Sequence, residues 1–176
     1  MTSDQARGDR PAPLIVTALF GRQDQGWFDT LRRAHYPPER NQVAAHLTLF
    51  HHLPPSLAEE LKRRLAQETR GIRVPKARMA GFVSLDRGIA CRIESPDLVA
   101  IRERLVEAFG GLLMPQDAGR WRPHVTIQNK VTQSLARTVM AALARDFQPR
   151  EVEIAGLASW WYRGGPWEAH SRHMFA

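Results

Sequence analysis

Two related segments decide the fold of this chain: HLTLF at residues 46–50 and, 78 residues further on, HVTIQ at residues 124–128. In both, polar and apolar residues alternate, which is the pattern of a half-buried β-strand. Side chains i and i+2 of a strand project from the same face. We therefore expect His46 and Thr48 to share one face, and His124 and Thr126 to share the equivalent face of a second strand.

The similarity continues into the helical pattern that follows each segment. At an offset of 78, seven of the 21 positions from 46 to 66 are identical, including both histidines and both threonines. A shared amphipathic helix explains the apolar matches, but a buried strand does not require histidine and threonine. The pattern predicts an internal duplication with repeat units at about 14–85 and 88–175.

Each repeat unit is predicted to contain a strand, a helix, the His-x-Thr strand, a second helix and another strand. Residues 1–13 predict a flexible N-terminal segment ahead of a single domain at 14–176. We expect a bilobal α+β fold, in which two antiparallel sheets flank a central cleft, with helices outside and a pseudo-two-fold relating the lobes. The predicted helices include Trp27–His35, Asp97–Phe109 and Ser134–Phe147.

Composition excludes several classes of protein. The chain has 176 residues, 43% hydrophobic and 24% charged, which is typical of a globular domain. No apolar run approaches the ~18 residues of a membrane span, and the early apolar stretch lacks the features of a secretory signal. Cys91 is the single cysteine, so an intramolecular disulfide is excluded. We expect a cytoplasmic monomer that does not associate with membranes.

The net charge of +7 suggests a partner that carries phosphate groups. Twenty-two of the 25 basic residues are arginine, which favours bidentate phosphate contacts. Genome base composition would produce the same excess of arginine. The charge therefore suggests a polyanionic partner without identifying it.

Two imidazoles that face one small volume suit general acid–base catalysis. One, neutral, removes a proton from an attacking hydroxyl, and the other, protonated, donates to the leaving oxygen. An ordinary histidine pKa of about 6.5 makes both states accessible near neutral pH, and threonine hydroxyls can donate to phosphate oxygens. The pattern favours phosphodiester cleavage without metal or cofactor, with His46, Thr48, His124 and Thr126 as catalytic residues. Which histidine is the base stays open, because the two motifs are alike.

The motifs HLTLF at 46–50 and RPHVTI at 122–127 resemble those of the 2H phosphoesterase superfamily, in particular its bacterial 2'-5' RNA ligase and RNA 2',3'-cyclic phosphodiesterase branch. The resemblance implies a two-lobed fold with the active site between the lobes. It implies metal-independent hydrolysis of 2',3'-cyclic phosphates on RNA ends or nucleotides, and reversible formation of 2'-5' linkages. The family often has an arginine five residues after the second histidine, where this chain has Asn129; Arg122 or Lys130 could then contact the phosphate.

Aromatic residues near the C-terminus are candidates for substrate binding. Trp160 and Tyr162 are predicted on one strand face, where they could stack on nucleobases, although packing between strands explains them equally well. His51 and His52 follow the first motif, and continued alternation would direct His52 towards the cleft, but a solvated strand end is the favoured interpretation.

Two other functions remain open at this point. The first is a nucleotide- or RNA-binding module of the same fold without catalysis, and the complete set of two histidines and two threonines argues against it. The second is a cyclic phosphodiesterase for small metabolites. A closed pocket would favour a small substrate, whereas a long groove lined with arginine would favour RNA.

Overall fold

The structure, a computed structural model, describes residues 11–176. Most of the predicted flexible segment, residues 1–10, lies outside the described residues. At the end of that segment, Ala12 is buried and the Pro13 carbonyl accepts a hydrogen bond of 3.0 Å from the backbone N–H of Tyr162. The chain is thus joined to the fold just before its first strand begins.

The described part of the chain contains seven strands and five α-helices. The strands are β1 (Leu14–Phe20), β2 (Leu47–Leu53), β3 (Lys76–Ser84), β4 (Ile89–Glu94), β5 (His124–Gln128), β6 (Arg150–Trp161) and β7 (Glu168–Met174). The α-helices are α1 (Arg22–His35), α2 (Ala58–Thr69), α3 (Pro96–Phe109), the short α4 (Pro115–Ala118) and α5 (Gln133–Arg145). Ser95 caps α3, since its hydroxyl accepts a hydrogen bond from the backbone N–H of Leu98.

All these strands form one antiparallel sheet with the order β1-β2-β5-β4-β3-β6-β7. The 12-residue β6 pairs with β3 at its start and with β1 further along, which closes six strands into a barrel-like sheet. β7 extends alongside β6. The prediction of two sheets flanking a cleft is therefore wrong. Separate sheets would leave unpaired edges, and these edges pair with each other instead, β2 with β5 and β3 with β6.

The pairing pattern is unchanged when the two halves of the chain are exchanged. β1 pairs with β2 as β4 pairs with β5, and β1 pairs with β6 as β4 pairs with β3. The two remaining contacts, β2–β5 and β3–β6, pair equivalent strands of the two halves. This is the arrangement that two copies of a strand–helix–strand–helix–strand unit would give, with β7 as an addition to the second.

The apolar residues of the two motifs form the centre of the core. Leu47, Leu49, Val125 and Ile127 are fully buried, and each contributes roughly 1.5–3 kcal/mol by leaving water. The helices cover them with Phe28, Leu61, Leu65, Leu98, Ile101 and Leu105. Because alternate residues of a strand face opposite sides, this burial directs the histidines and threonines away from the helices.

Three further observations concern membrane spans, metal sites and the cysteine of the described residues. Within residues 11–176, no helix is both long and apolar enough to cross a membrane. The same residues contain no group of three or more His, Cys, Asp or Glu side chains placed to hold a metal ion. Cys91 on β4 is buried, and burial raises the pKa of its thiol to about 12. The thiol is therefore protonated at neutral pH and is not a nucleophile.

Candidate active site

The site is built on the pairing of β2 with β5. Leu47 lies opposite Val125 in this antiparallel pair. If that register continues by one residue in each direction, His46 is opposite Thr126 and Thr48 is opposite His124. The Cβ atoms of directly opposed residues in a sheet lie about 5 Å apart. Each histidine therefore has the threonine of the other motif as its neighbour.

The four residues predicted to be catalytic line one pocket of about 120 Å³. Pockets that hold a whole small-molecule ligand are typically about 300–1,000 Å³, so this smaller space suits a phosphate group rather than a whole nucleotide. The complete lining is Ile15, His46, Thr48, His51, His124, Thr126 and Trp167. The structure thus brings together the histidines and threonines that are 78 residues apart in sequence.

Both histidine rings are oriented by the same type of contact. Nδ1 of His46 lies 2.8 Å from the Ala44 carbonyl oxygen, and Nδ1 of His124 lies 2.7 Å from the Arg122 carbonyl oxygen. A carbonyl oxygen only accepts hydrogen bonds, so each Nδ1 donates. The other ring nitrogen, Nε2, is then left on both rings to accept or donate a proton in the pocket.

Comparison with known proteins places this geometry in a family. The family model described as "2'-5' RNA ligase superfamily" matches residues 20–166, which include both His-x-Thr motifs. The chain belongs to this superfamily of 2H phosphoesterases. The resemblance seen in the motifs is therefore confirmed. A comparison with curated protein sequences gives no significant match.

Solved structures with the same fold are distant in sequence. TT0787 of Thermus thermophilus is 16% identical, with a TM-score of 0.61 over 93% of this chain and 97% of the other. E. coli LigT in apo form is 17% identical, with a TM-score of 0.59 over 96% and 99%. E. coli LigT complexed with 3'-AMP is also 17% identical, with a TM-score of 0.55 over 95% and 99%. At this level of identity the likeness establishes the fold.

Two buried arginines hold the backbone of the His-x-Thr strands in this superfamily member. Arg32 on α1 donates to the Thr126 carbonyl of β5 at 2.9 Å, and Arg102 on α3 donates to the Leu49 carbonyl of β2 at 2.8 Å. Each arginine thus anchors the motif strand of the other half. Each guanidinium also lies over an aromatic ring, Arg32 over Tyr36 and Arg102 over Phe50. No sequence pattern indicates these roles, because an arginine on an amphipathic helix is usually exposed.

The two histidines differ in their surroundings. The ring of Trp167 packs edge-on against His46, with centroids 4.5 Å apart. Burial lowers the pKa of His46 to about 4; the hydrogen bond to Ala44 opposes this, and the charges of Arg32, His51 and His124 add to it. Among the described residues, no aromatic ring packs in this way against His124. His46 is therefore neutral at neutral pH.

A larger pocket of about 350 Å³ adjoins the first one and shares His46 and Trp167 with it. Its surface is mainly apolar, and Trp160, one of the two aromatic residues predicted to bind substrate, lines it. Nε1 of Trp160 donates to the Thr17 hydroxyl at 2.9 Å, which fixes its ring. Tyr162 is 45% exposed and does not line either pocket.

The basic residues predicted to contact phosphate lie outside the 120 Å³ pocket. Arg122 is exposed, and its carbonyl oxygen rather than its guanidinium contacts His124. Lys130 is exposed beyond the end of β5 and has a positive φ of 62°. Their role in substrate binding stays a prediction.

The structure adds His51 to the pocket, where alternation predicted His52. The pairing of β2 with β1 shifts register on either side of the Val16–Phe50 pair. Leu49 and Phe50, although consecutive, are both fully buried. This irregularity turns His51 onto the pocket face, and a bulge of this kind cannot be read from the alternation of residues.

Proposed function

We propose that this chain is a metal-independent phosphodiesterase that opens 2',3'-cyclic phosphates on RNA ends or nucleotides. His46 is the general base, His124 is the general acid, and Thr48 and Thr126 donate hydrogen bonds to the non-bridging phosphate oxygens. The same groups, with the 5'-hydroxyl of a second ribose attacking phosphorus in place of water and the 3'-oxygen leaving, would form a 2'-5' linkage.

The steps balance in protons and bonds. Nε2 of His46 takes a proton from water while the water oxygen forms a bond to phosphorus. The bond from phosphorus to one ribose oxygen breaks on the opposite side, and Nε2–H of His124 gives its proton to that oxygen. The product is a phosphate monoester. Exchange of one proton each with solvent returns His46 to its neutral form and His124 to its protonated form.

One observation carries this proposal: two histidines with the same Nδ1–carbonyl bond and two threonines line one pocket the size of a phosphate group. A binding module has no need for two imidazoles with free Nε2 atoms. The low pKa of His46 supports the division of roles, because a base must be unprotonated at the start of the reaction.

A nucleotide or RNA end is supported by the adjoining pocket. Trp160 and Trp167 contribute aromatic faces to it, with ring centroids 6.3 Å apart, and Gln25 and Gln42 contribute amide groups. An apolar, aromatic-lined space with a few polar groups suits a base and its ribose. E. coli LigT, a structural relative, has been solved with 3'-AMP, ATP and NADP+, which agrees with a nucleotide substrate.

Turnover of adenosine 2',3'-cyclic phosphate and of an RNA oligonucleotide with a 2',3'-cyclic end, both with EDTA present, tests the proposal. We expect hydrolysis of at least one substrate, and a loss of roughly 10²–10⁴-fold in His46→Ala and in His124→Ala, the usual contribution of a general acid or base. Comparing kcat/KM for the two substrates also distinguishes RNA from a mononucleotide.

Three outcomes would contradict the proposal. Wild-type activity that disappears with EDTA would refute the metal-independent mechanism. Full activity in either alanine variant would refute the assignment of the catalytic pair. Binding of both substrates without turnover would favour a nucleotide- or RNA-binding module instead. Far-UV circular dichroism of each variant verifies that a loss of activity is not a loss of fold.

A further inference from the structure

The pocket of about 120 Å³, called the phosphate pocket below, is lined by a third histidine, His51. A buried carboxylate lies behind the ring of this histidine. Nδ1 of His51 lies 3.2 Å from Oδ1 of Asp117, whose side chain is only 1% exposed. The same carboxylate accepts the backbone N–H groups of His51 and His52 at 2.8 and 2.9 Å. Asp117 thus fixes both the backbone and the ring of His51.

The contact keeps Asp117 ionised. Burial by itself would raise the pKa of this carboxyl group, but hydrogen bonds from the His51 ring and from the two backbone N–H groups outweigh burial and lower the pKa. An ionised carboxylate only accepts hydrogen bonds, so Nδ1 of His51 donates to Asp117. With Nδ1 engaged by Asp117, Nε2 is the nitrogen that His51 can present to a ligand.

In the part of the chain that the structure describes, the phosphate pocket has no permanently charged side chain in its lining. Of residues 11–176, none of the lysines or arginines lines it; apart from Ile15 and Trp167, its lining consists of histidine and threonine side chains. A phosphodiester has one negative charge, and a second develops as water attacks. In the proposed mechanism His46 gains a proton as water attacks and His124 gives its proton away, so neither histidine holds a constant positive charge beside the non-bridging oxygens.

We propose that His51 is a phosphate-binding residue of this site: held at Nδ1 by Asp117, it donates Nε2–H to a non-bridging oxygen and supplies a positive charge that is not transferred in the reaction. This inference rests on the proposed function, because it assigns a further contact to the same bound phosphate. At the offset of 78 the counterpart of His51 is Asn129, so this cationic position exists in the first half only.

The neighbours of His51 are consistent with this role. The charged or titratable groups near it are Asp117 on α4, His46 just before its own strand, His124 on β5, and Arg102 on α3. Arg102 donates to the Asp117 backbone carbonyl at 2.6 Å rather than to the carboxylate, so the carboxylate remains available to His51. The positive charge of His51 also contributes to the low pKa of His46.

The test compares His51→Gln with a matched control, His52→Gln. Glutamine keeps an N–H donor and removes the charge, and His52 is an exposed neighbour that does not line the pocket. With adenosine 2',3'-cyclic phosphate, we expect His51→Gln to raise KM by about 10- to 100-fold, the usual effect of one charged hydrogen bond, with a smaller change in kcat. The inhibition constant for inorganic phosphate should rise by a similar factor. His51→Lys should restore part of the affinity, and His52→Gln should resemble wild type.

A purely structural role for His51 predicts a different result. In that case His51→Gln would lower the melting temperature and leave KM and phosphate inhibition unchanged, and this result would overturn the proposal while wild-type turnover still supported the proposed function. If the wild type has no turnover, binding of inorganic phosphate still tests the proposed contact between His51 and phosphate. The NMR signals of the His51 ring should shift on titration with phosphate, and an absence of any shift would overturn the contact.

Discussion

The two His-x-Thr strands, β2 and β5, have the same local geometry but different surroundings. Both histidines donate through Nδ1 to the carbonyl two residues earlier, and both strands receive a buried arginine from the opposite half. Only the histidine that leads into β2, His46, lies under Trp167, and only β2 continues to a third pocket histidine, His51. The shared features belong to both halves, whereas Trp167 and Asp117, the partners of His46 and His51, come from segments of the second half without a counterpart in the described part of the first.

Those segments are β7 with its preceding turn, which supplies Trp167, and α4, which supplies Asp117. Neither has a counterpart in the other half of the described chain. A symmetric pair of histidines would have one common pKa, whereas the proposed reaction needs one neutral and one protonated ring. The additions to the repeat thus contribute to the low pKa of the first histidine, on which its proposed role as the base rests.

The first prediction concerns the largest change in activity and tests whether His46 acts as the base and His124 as the acid. A phosphodiester with a p-nitrophenol leaving group needs no general acid, because the phenolate departs without a proton. We expect His124→Ala to lose about 10²–10⁴-fold on the cyclic phosphate but less than about tenfold on the nitrophenyl ester, while His46→Ala loses activity on both. The measurement is kcat/KM for each variant on each substrate.

The reverse pattern, with His46→Ala rescued by the nitrophenyl ester, would exchange the two roles. Equal losses on both substrates for both variants would mean that the two halves are not specialised. The wild type on the same two substrates gives the reference ratio.

The next effect concerns Trp167. Its ring buries His46, whose pKa is about 4. The base works when neutral, so wild-type kcat/KM should hold as the pH falls to about 5 and decline only near pH 4. Trp167→Ala exposes the ring, so the pKa should rise towards about 6.5 and the acidic limb should move up with it. The pH profile of kcat/KM measures this shift.

Trp161→Phe is the matched control, since Trp161 packs against His170 and lines neither pocket. The ordinary pKa of a histidine is about 6.5. If the acidic limb of the wild-type profile lay near this pH, it would contradict the low pKa of His46. A limb that stays in place in Trp167→Ala would show that burial by this ring is not its cause.

The smallest effect is expected for the two buried arginines, a feature that both halves of the chain have. Arg32→Met and Arg102→Met each leave a buried strand carbonyl, of Thr126 or Leu49, without that donor. An unsatisfied buried polar group costs about 1–3 kcal/mol, so both variants should lose about this much free energy of unfolding, by similar amounts. Urea denaturation measures it. Arg63→Met, at an exposed position on α2, should be nearly neutral, and a neutral result for either buried arginine would contradict the anchoring role.

Much of the local structure could be predicted from sequence patterns. The helix predicted at Asp97–Phe109 runs from Pro96 to Phe109, because apolar spacing and the following glycines define it. The helix predicted from Trp27 begins earlier, at Arg22, since Gly26 and the polar residues before it carry no periodic signal. The residues that line the phosphate pocket include all four predicted as catalytic, because alternation fixes which face of a strand they share.

Other features depended on contacts that no local pattern encodes. The closure of six strands into one sheet rests on β6 pairing with both β1 and β3. The turn of His51 into the pocket depends on a register shift, and its partner Asp117 lies on a four-residue helix without periodicity. Each of these is set by residues far apart in sequence.

The sequence by itself determined the duplicated His-x-Thr motif, the alternation that sends its polar side chains to one face, and thus the superfamily. These follow from the periodicity of a strand, which is a local property of the chain. Tertiary contacts bring the two motifs into one pocket. They also pack Trp167 on His46, where burial lowers the pKa of His46, and they place His51 in the pocket with Asp117 behind it. Burial and charge act through space, so what distinguishes the two His-x-Thr motifs chemically is found only in the folded molecule.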